Sequence, residues 1–189
     1  PWVHDFENVV GLEQDTANDR DWWLMQGPTG SINTGPQGDH TTGSGIYYYA
    51  EASTSGIGFP NQVFTTYTPT FDISQTPGKV LSFWYHMYGS TMGDLEVGYI
   101  NNSGYTTLGV ISGDQGTSWK LGYYPITAVD SFKIVFIATT GSSYYSDICI
   151  DDIMVSDPYT VLYGCTDTVS SNYDSTATHD NGTCIYLSL

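Results

Sequence analysis

Apolar and polar residues alternate along most of the chain in short runs, the period-2 signature of half-buried strands. The alternation predicts strands over residues 46–51, 63–71, 80–87, 95–100, 105–111, 119–124, 132–138 and 148–155. An opening strand is predicted at Trp2–Glu7, and a further one starts at Trp22-Trp23. Gly, Pro, Asn, Asp and Ser separate nearly all of these runs. Regular short strands punctuated by turns predict an all-β fold, a jelly-roll β-sandwich of two antiparallel sheets. Residues 80–87 are aromatic on both faces and residues 133–137 are almost uninterruptedly apolar, so both belong in the core.

The run 148–155 carries an anomaly, because Asp151 and Asp152 stand side by side inside it. Strict alternation puts Ile148, Ile150 and Asp152 on one face and Cys149, Asp151, Ile153 and Val155 on the other, one acid per face. An unpaired ionised carboxylate among apolar side chains costs several kcal/mol, and no Lys or Arg lies nearby in sequence. A bound cation resolves that cost. Residues 27–45, dense in Gly, Pro, Thr and Ser, read as a long loop that something must tie down. The expected site therefore joins Glu7 from the first strand, Asp39 from this loop and Asp152 or Asp151 from the last strand. Backbone carbonyls would complete roughly six to eight oxygens around Ca²⁺, with Na⁺ as the alternative. The competing reading has Asp151 and Asp152 facing solvent or capping loop amides.

Composition narrows the function classes. The 189 residues are 40% hydrophobic and 15% aromatic, with 16 Tyr and 21 Gly, which suits a packed all-β body. Only 4 Lys and Arg stand against 20 acids, a formal charge of −16. Nucleic acid and anionic membranes are thereby excluded as partners, since phosphate binding needs clustered cations. No run of roughly 18 apolar residues predicts membrane insertion, and no leader pattern is present, so the chain reads as a mature segment of something longer.

Ser156-Asp157-Pro158-Tyr159 breaks the last long strand, which divides the chain into a body at 1–157 and a small tail at 158–189. Cys165 and Cys184 bracket polar residues and are expected to form a disulfide in an extracellular setting, stabilising the tail by roughly 3 kcal/mol. Cys149 reads as a buried free thiol. In the tail, Asp167, Asn172, Asp174 and Asp180 form a second candidate Ca²⁺ set, although they lack EF-hand spacing.

Catalysis is not indicated. Asp94 and Glu96 lie two apart on one strand face, a spacing a glycoside hydrolase could use, but Leu95 and Val97 point inward and leave both acids to water. Neither Gly-x-Ser-x-Gly nor His-Glu-x-x-His occurs. His86 is expected to be buried beside Trp84, and His40 to orient the Asp39 loop. The Tyr pairs offer ring faces for sugar stacking, with Tyr48, Tyr123 and Tyr144 as candidates; alternation in any Tyr-rich sandwich is the plainer explanation.

Four motifs coincide in order: Asp5-Phe6-Glu7, Thr34-Gly35-Pro36 followed by Asp39-His40-Thr41, Leu81-Ser82-Phe83-Trp84-Tyr85-His86-Met87-Tyr88-Gly89, and Ile150-Asp151-Asp152-Ile153. Together they resemble the MAM domain over roughly residues 2–157. The resemblance implies a jelly roll acting in extracellular adhesion through other protein domains or self-assembly at the cell surface, without catalysis of its own. His4 and Val80 stand where that pattern usually has cysteines, so its usual disulfides are missing. The tail, from Gly164-Cys165-Thr166-Asp167 to Asp180-Asn181-Gly182-Thr183-Cys184, resembles a repeat of secreted Bacteroidota proteins. The combined expectation is a secreted or cell-surface bacterial module, cation-stabilised, with a carbohydrate-binding module as the alternative.

Overall fold

A computed structural model describes residues 1–53, 56–72, 78–128, 130–158 and 162–186. In chain order its strands are β1 (Trp2–His4), β2 (Glu13–Gln14), β3 (Trp23–Gln26), β4 (Ile46–Ala50), β5 (Val63–Tyr67), β6 (Lys79–Met87), β7 (Asp94–Asn101), β8 (Gly104–Ser112), β9 (Lys120–Ile126), β10 (Phe132–Thr139) and β11 (Ile148–Ser156), followed in the tail by β12 (Tyr163–Gly164) and β13 (His179–Asp180). One antiparallel sheet runs β3-β4-β11-β6-β9 with β1 also paired to β11, and the facing antiparallel sheet runs β2-β5-β10-β7-β8. The structure is the all-β sandwich that the alternation predicts. Tyr159, part of the expected boundary, lies outside the described residues.

The core fills the space between the sheets with Leu81, Phe83, Tyr85 and Met87 from β6, Leu95 and Val97 from β7, Ile134, Phe136 and Ala138 from β10, and Ile148, Ile150, Ile153 and Val155 from β11. Burying each large apolar side chain stabilises the fold by about 1.5–3 kcal/mol. The opposite face of the six-stranded sheet is covered too. Tyr47, Tyr49 and Cys149 form a second buried cluster there, packed against Met25 and Trp119. The loop after β3 crosses this outer face: Tyr47 Oη donates to Gly27 O at 2.7 Å and Trp119 Nε1 to Gly38 O at 3.1 Å. Covering both faces explains why β4 and β6 are apolar or aromatic at nearly every position.

β11 holds the arrangement together. Its first three residues pair with β4, Ile148↔Ala50 to Ile150↔Tyr48, and three near its end pair with β1, Ile153↔His4 to Val155↔Trp2. One edge of a single strand thus serves two partners in succession. Between them the ladder with β6 slips: Asp151 pairs with Trp84 and Met154 with Ser82, so β11 carries one extra residue. Asp152 takes φ = 46°, a left-handed conformation that Asp tolerates better than most residues. This β-bulge corrects the period-2 expectation. It shifts the parity, so Ile153 and Val155 join Ile148 and Ile150 in the core and both aspartates fall on the outer face.

The tail adds a two-stranded parallel ladder and the expected disulfide between Cys165 and Cys184. Cys149 is the free, buried cysteine. Tyr163 Oη donates to Ser82 Oγ at 2.6 Å, which seats the tail on the body.

Candidate functional site

The break between the partners of β11 is where the predicted acids meet. Glu7 follows β1, Gly45 and Ile46 open β4, and Asp151-Asp152 lie opposite the gap. Glu7 Oε1 accepts from Ile46 N at 2.7 Å, and Asp39 accepts from Gly45 N and from Thr42 N at 2.8 Å. A Cβ built on Gly45 would lie 2.1 Å from Glu7 Oε1 and 3.0 Å from Asp39 Cγ, so only glycine lets both carboxylates close on this backbone.

Asp39 is buried, which opposes ionisation, but the amides of Thr42 and Gly45 and the Thr42 hydroxyl outweigh that and hold its carboxyl below the usual range. Asp151, only 1% exposed, accepts from His40 N at 2.9 Å and from Asp152 N at 2.8 Å. Burial first, then the charges of Asp152 and Asp39, push its pKa up to about 8 against those two amides. Asp152 turns instead toward His40 Nδ1, 2.6 Å away, and the Thr41 hydroxyl, 2.5 Å away. The His40 ring stacks on Trp84 with centroids 3.7 Å apart. The two aspartates therefore differ: Asp151 is buried and bonded to the His40 and Asp152 amides, and Asp152 anchors His40 over Trp84.

In type these are hard oxygen donors of the kind a cation takes, with Asp39 and Asp151 buried and Glu7 exposed, and the influences on Asp151 include no Lys or Arg among the described residues. Among the described residues, however, no three Asp, Glu, His or Cys side chains converge closely enough to hold a metal, and the carboxylates cap loop amides. The same holds in the tail. Asp167 caps Val169 N and accepts from Tyr186 Oη, Asn172 Oδ1 accepts from Ile185 N, Asp174 caps Thr176 N, and Asp180 caps Gly182 N.

Of the stacking candidates, Tyr48 is a correction. It is 1% exposed, sandwiched between Phe6 and Trp22 in the core, because alternation on a strand covered on both faces turns no ring to water. Tyr123 is exposed and meets Tyr163 edge-on. Tyr144 is half-buried, with its hydroxyl 2.5 Å from that of Tyr145. His86 is buried as expected, lying edge-on to Trp119, and burial lowers its pKa despite the Thr117 backbone and the Asp114 charge. Asp94 and Glu96 point outward and bond to Ser112, Tyr105 and Thr107 hydroxyls.

Asp147 escaped the sequence reading. It is 0% exposed; its Oδ1 accepts from Ala52 N at 3.0 Å, while its Oδ2, among the described residues, has no partner. Burial, then the charge of Glu51, raises its pKa to about 7. The signal was an acid directly preceding the apolar run of β11.

A family model described as MAM domain, meprin/A5/mu, matches residues 4–159. Thyroid hormone-induced protein B of Xenopus laevis is 36% identical over 153 residues, covering 78% of this chain and 21% of that protein. MAM domain-containing protein 2 of Mus musculus is 37% identical over 151 residues, covering 78% and 21%. The chain spans about a fifth of the length of these curated relatives. Among solved structures, the K1 cleaved adhesin domain of Lys-gingipain from Porphyromonas gingivalis W83 superposes with TM-score 0.57 at 18% identity, covering 82% of this chain and 97% of that one. TmCBM61 in complex with beta-1,4-galactotriose gives 0.51 at 11%, covering 81% and 94%. At those identities the likeness is one of fold. The family match runs from the end of β1 through β11 and takes in every strand of the sandwich that meets at the acidic gap, so the chain belongs to the MAM domain family.

Proposed function

We propose that this chain is a non-catalytic adhesion or assembly module of a secreted or cell-surface bacterial protein, engaging other protein domains or a second copy of itself. The observation that carries the reading is the family match over residues 4–159, since MAM domains are extracellular adhesion modules. The tail, closed by Cys165–Cys184, suits an oxidising exterior. Among the described residues no helix is long and apolar enough to cross a membrane. The test is homotypic and heterotypic clustering of beads coated with the chain, scored against beads coated with an unrelated acidic sandwich. Clustering above that control, or retention on cell surfaces, is expected; neither occurring would overturn the proposal.

The same reading includes a calcium ion held by Glu7, Asp39 and Asp151. Glu7 and Asp39 bond to the adjacent amides of Ile46 and Gly45, and Asp151 is a buried carboxylate that burial and the charges of Asp152 and Asp39 hold above the usual range, a penalty a positive charge would relieve. Drawn to a cation, the three would join both ends of the sandwich where the family's usual cysteines are replaced by His4 and Val80. Asp152 is left out of this set because it is engaged with His40 and Thr41.

A further inference from the structure

A cavity of about 580 Å³ opens between β3 and the acid-rich loop at residues 15–21, and none of Glu7, Asp39 and Asp151 lines it. Its wall is a tryptophan. Trp22 and Trp23 are neighbours in sequence, but alternation sends Trp22 into the core, 3% exposed, and Trp23 outward, 52% exposed. Phe64 of β5 also lines the cavity, and the rest of the rim is polar, with Asn18, Asp19, Arg20 and Asp21 among its residues.

The rim is preformed. Asp15 N donates to Thr65 O at 3.0 Å, Asp19 N to Val63 O at 3.0 Å, and Arg20 N to Val63 O at 3.2 Å. Val63 N returns a bond to Asp19 Oδ2 at 3.0 Å, and Asn18 Nδ2 reaches Thr65 O at 3.3 Å. A loop laced in this way to a sheet edge loses little freedom on binding, which favours affinity. Arg20 Nε lies beneath the rim, shut off from solvent and, among the described residues, without a hydrogen-bond partner, so the rest of the Arg20 side chain is what lines the cavity. An orphaned buried donor costs about 1–3 kcal/mol.

The chemistry of a fitting ligand follows. An exposed indole face takes a flat apolar surface. A guanidinium, amide and carboxylates around it supply both donors and acceptors, as hydroxyl groups require. Asp15, Asp19 and Asp21 against the single Arg20, in a chain of net charge −16, repel phosphate, sulfate and uronic acids. A neutral hexose meets all of these conditions, presenting a C–H face on one side and hydroxyls around its edge. We propose that this cavity is a binding subsite for a neutral hexose unit of a glycan, stacked on Trp23 with its hydroxyls shared among Arg20, Asp19 and Asp21. The subsite goes beyond the adhesion reading and depends neither on the cation nor on a protein partner.

The test follows the indole N–H signals by two-dimensional NMR, with the Trp23 signal assigned by its absence in Trp23→Ala. Methyl glucoside, methyl galactoside and methyl mannoside serve as neutral probes, galacturonate as the acidic one and hexalysine as the basic one. Saturable movement of the Trp23 signal with at least one neutral hexoside is expected, with none for galacturonate. Trp23→Ala should weaken binding of that hexoside, read on backbone amides of residues 15–21, about tenfold or more, while keeping the wild-type melting temperature. An unmoved Trp23 signal with all three hexosides overturns the proposal. So does movement with hexalysine alone, which would mark the cavity as a seat for a basic protein segment. Bead clustering that persists in Trp23→Ala would leave the adhesion reading standing in either case.

Discussion

Replacing Asp147 by Asn should raise stability at neutral and alkaline pH, by less as the pH falls through mild acid, and leave it nearly unchanged below about pH 4. Asp147 is wholly buried, and the charged and titratable groups around it are Glu51, Tyr47, Tyr49 and the Cys149 thiol. Burial keeps the two phenols and the thiol neutral, so Glu51 contributes the one charge, and it is of the same sign. The folded-state pKa rises from 3.8 to about 7. A raised carboxylate pKa means the native state keeps a proton that the unfolded chain has released. The stabilisation is therefore full below the unfolded pKa and lost as pH climbs through the folded one, a negative slope of about 1.4 kcal/mol per pH unit. Over the roughly three units between 3.8 and about 7, the ceiling is about 4 kcal/mol.

Asparagine keeps the acceptor for Ala52 N and cannot ionise, so the variant escapes this loss. For a chain of this size about 1 kcal/mol moves the melting temperature by about 2–4 °C, so at pH 8 Asp147→Asn should melt higher than wild type by up to about 8–16 °C, the value at that ceiling. The two should coincide only below about pH 4, where Asp147 keeps its proton in both the folded and the unfolded chain and is nearly isosteric with the amide; at pH 5 the wild type already trails by about 1.6 kcal/mol. Melts by circular dichroism across roughly pH 3.5–8, in EDTA so that no adventitious cation neutralises the site, supply the measurement. Histidines titrate alike in both proteins and cancel in the difference. A shift that is constant with pH, or a variant less stable throughout, would refute the assignment of a buried, unpaired carboxylate.

Calcium should raise the melting temperature and EDTA lower it, and Glu7→Gln or Asp151→Asn should remove that response while Asp152→Asn keeps most of it; an unchanged melt in EDTA would sink the cation. Gly45→Ala should cost about 2 kcal/mol or more by driving a Cβ into Glu7 and Asp39, measured by urea unfolding, and a neutral outcome would mean the two carboxylates do not close on that backbone. Intact mass without reduction should show one disulfide and one alkylatable thiol on unfolding. Peptide mapping that found Cys149 bridged would contradict its place on β11.

Much of the fold was legible because the strands obey simple rules. Residues 80–87, aromatic on both faces, became the central β6, and residues 133–137 became the interior of β10. Cys165 and Cys184 stood far enough from Cys149, and in a polar enough setting, for the disulfide to be evident. What was legible of the acids is that Glu7 and Asp39 both bond to the amides where β4 begins; the parity of Asp151 and Asp152 was not. Strict alternation assigns one acid to each face, whereas an inserted residue in β11 turns both outward; only the tolerance of Asp for positive φ hinted at this. Tyr48 failed for a related reason. Tyr48 is the ring of β4 that points between the sheets, while its neighbours Tyr47 and Tyr49 face outward and are covered by the loop at 27–45. Trp23 was visible all along as the second of two adjacent tryptophans. Its importance depends on the loop at 15–21 folding back against β5, which no local pattern encodes.

The bulge and the acids have one cause. A strand that pairs with β4 through Ile150 and with β1 from Ile153 must cross a stretch where neither partner continues. There the amides of Gly45 and Ile46, at the start of β4, and those of His40 and Asp152 have no ladder to join. Side-chain carboxylates are the acceptors at hand: Glu7 for Ile46, Asp39 for Gly45, and Asp151 for His40 and Asp152. Each solves a local hydrogen-bonding problem, and two of them, Asp39 and Asp151, are buried while Glu7 stays exposed. Satisfying the backbone thus creates an electrostatic debt that amides alone do not settle, as the raised pKa of Asp151 records. A cation placed there would neutralise charge that the topology itself makes necessary. On this argument the site is a consequence of closing a jelly roll with one strand shared between two partners. Lengthening β4 or β1 by one ladder pair, rather than removing an acid, would be the change that makes the carboxylates dispensable.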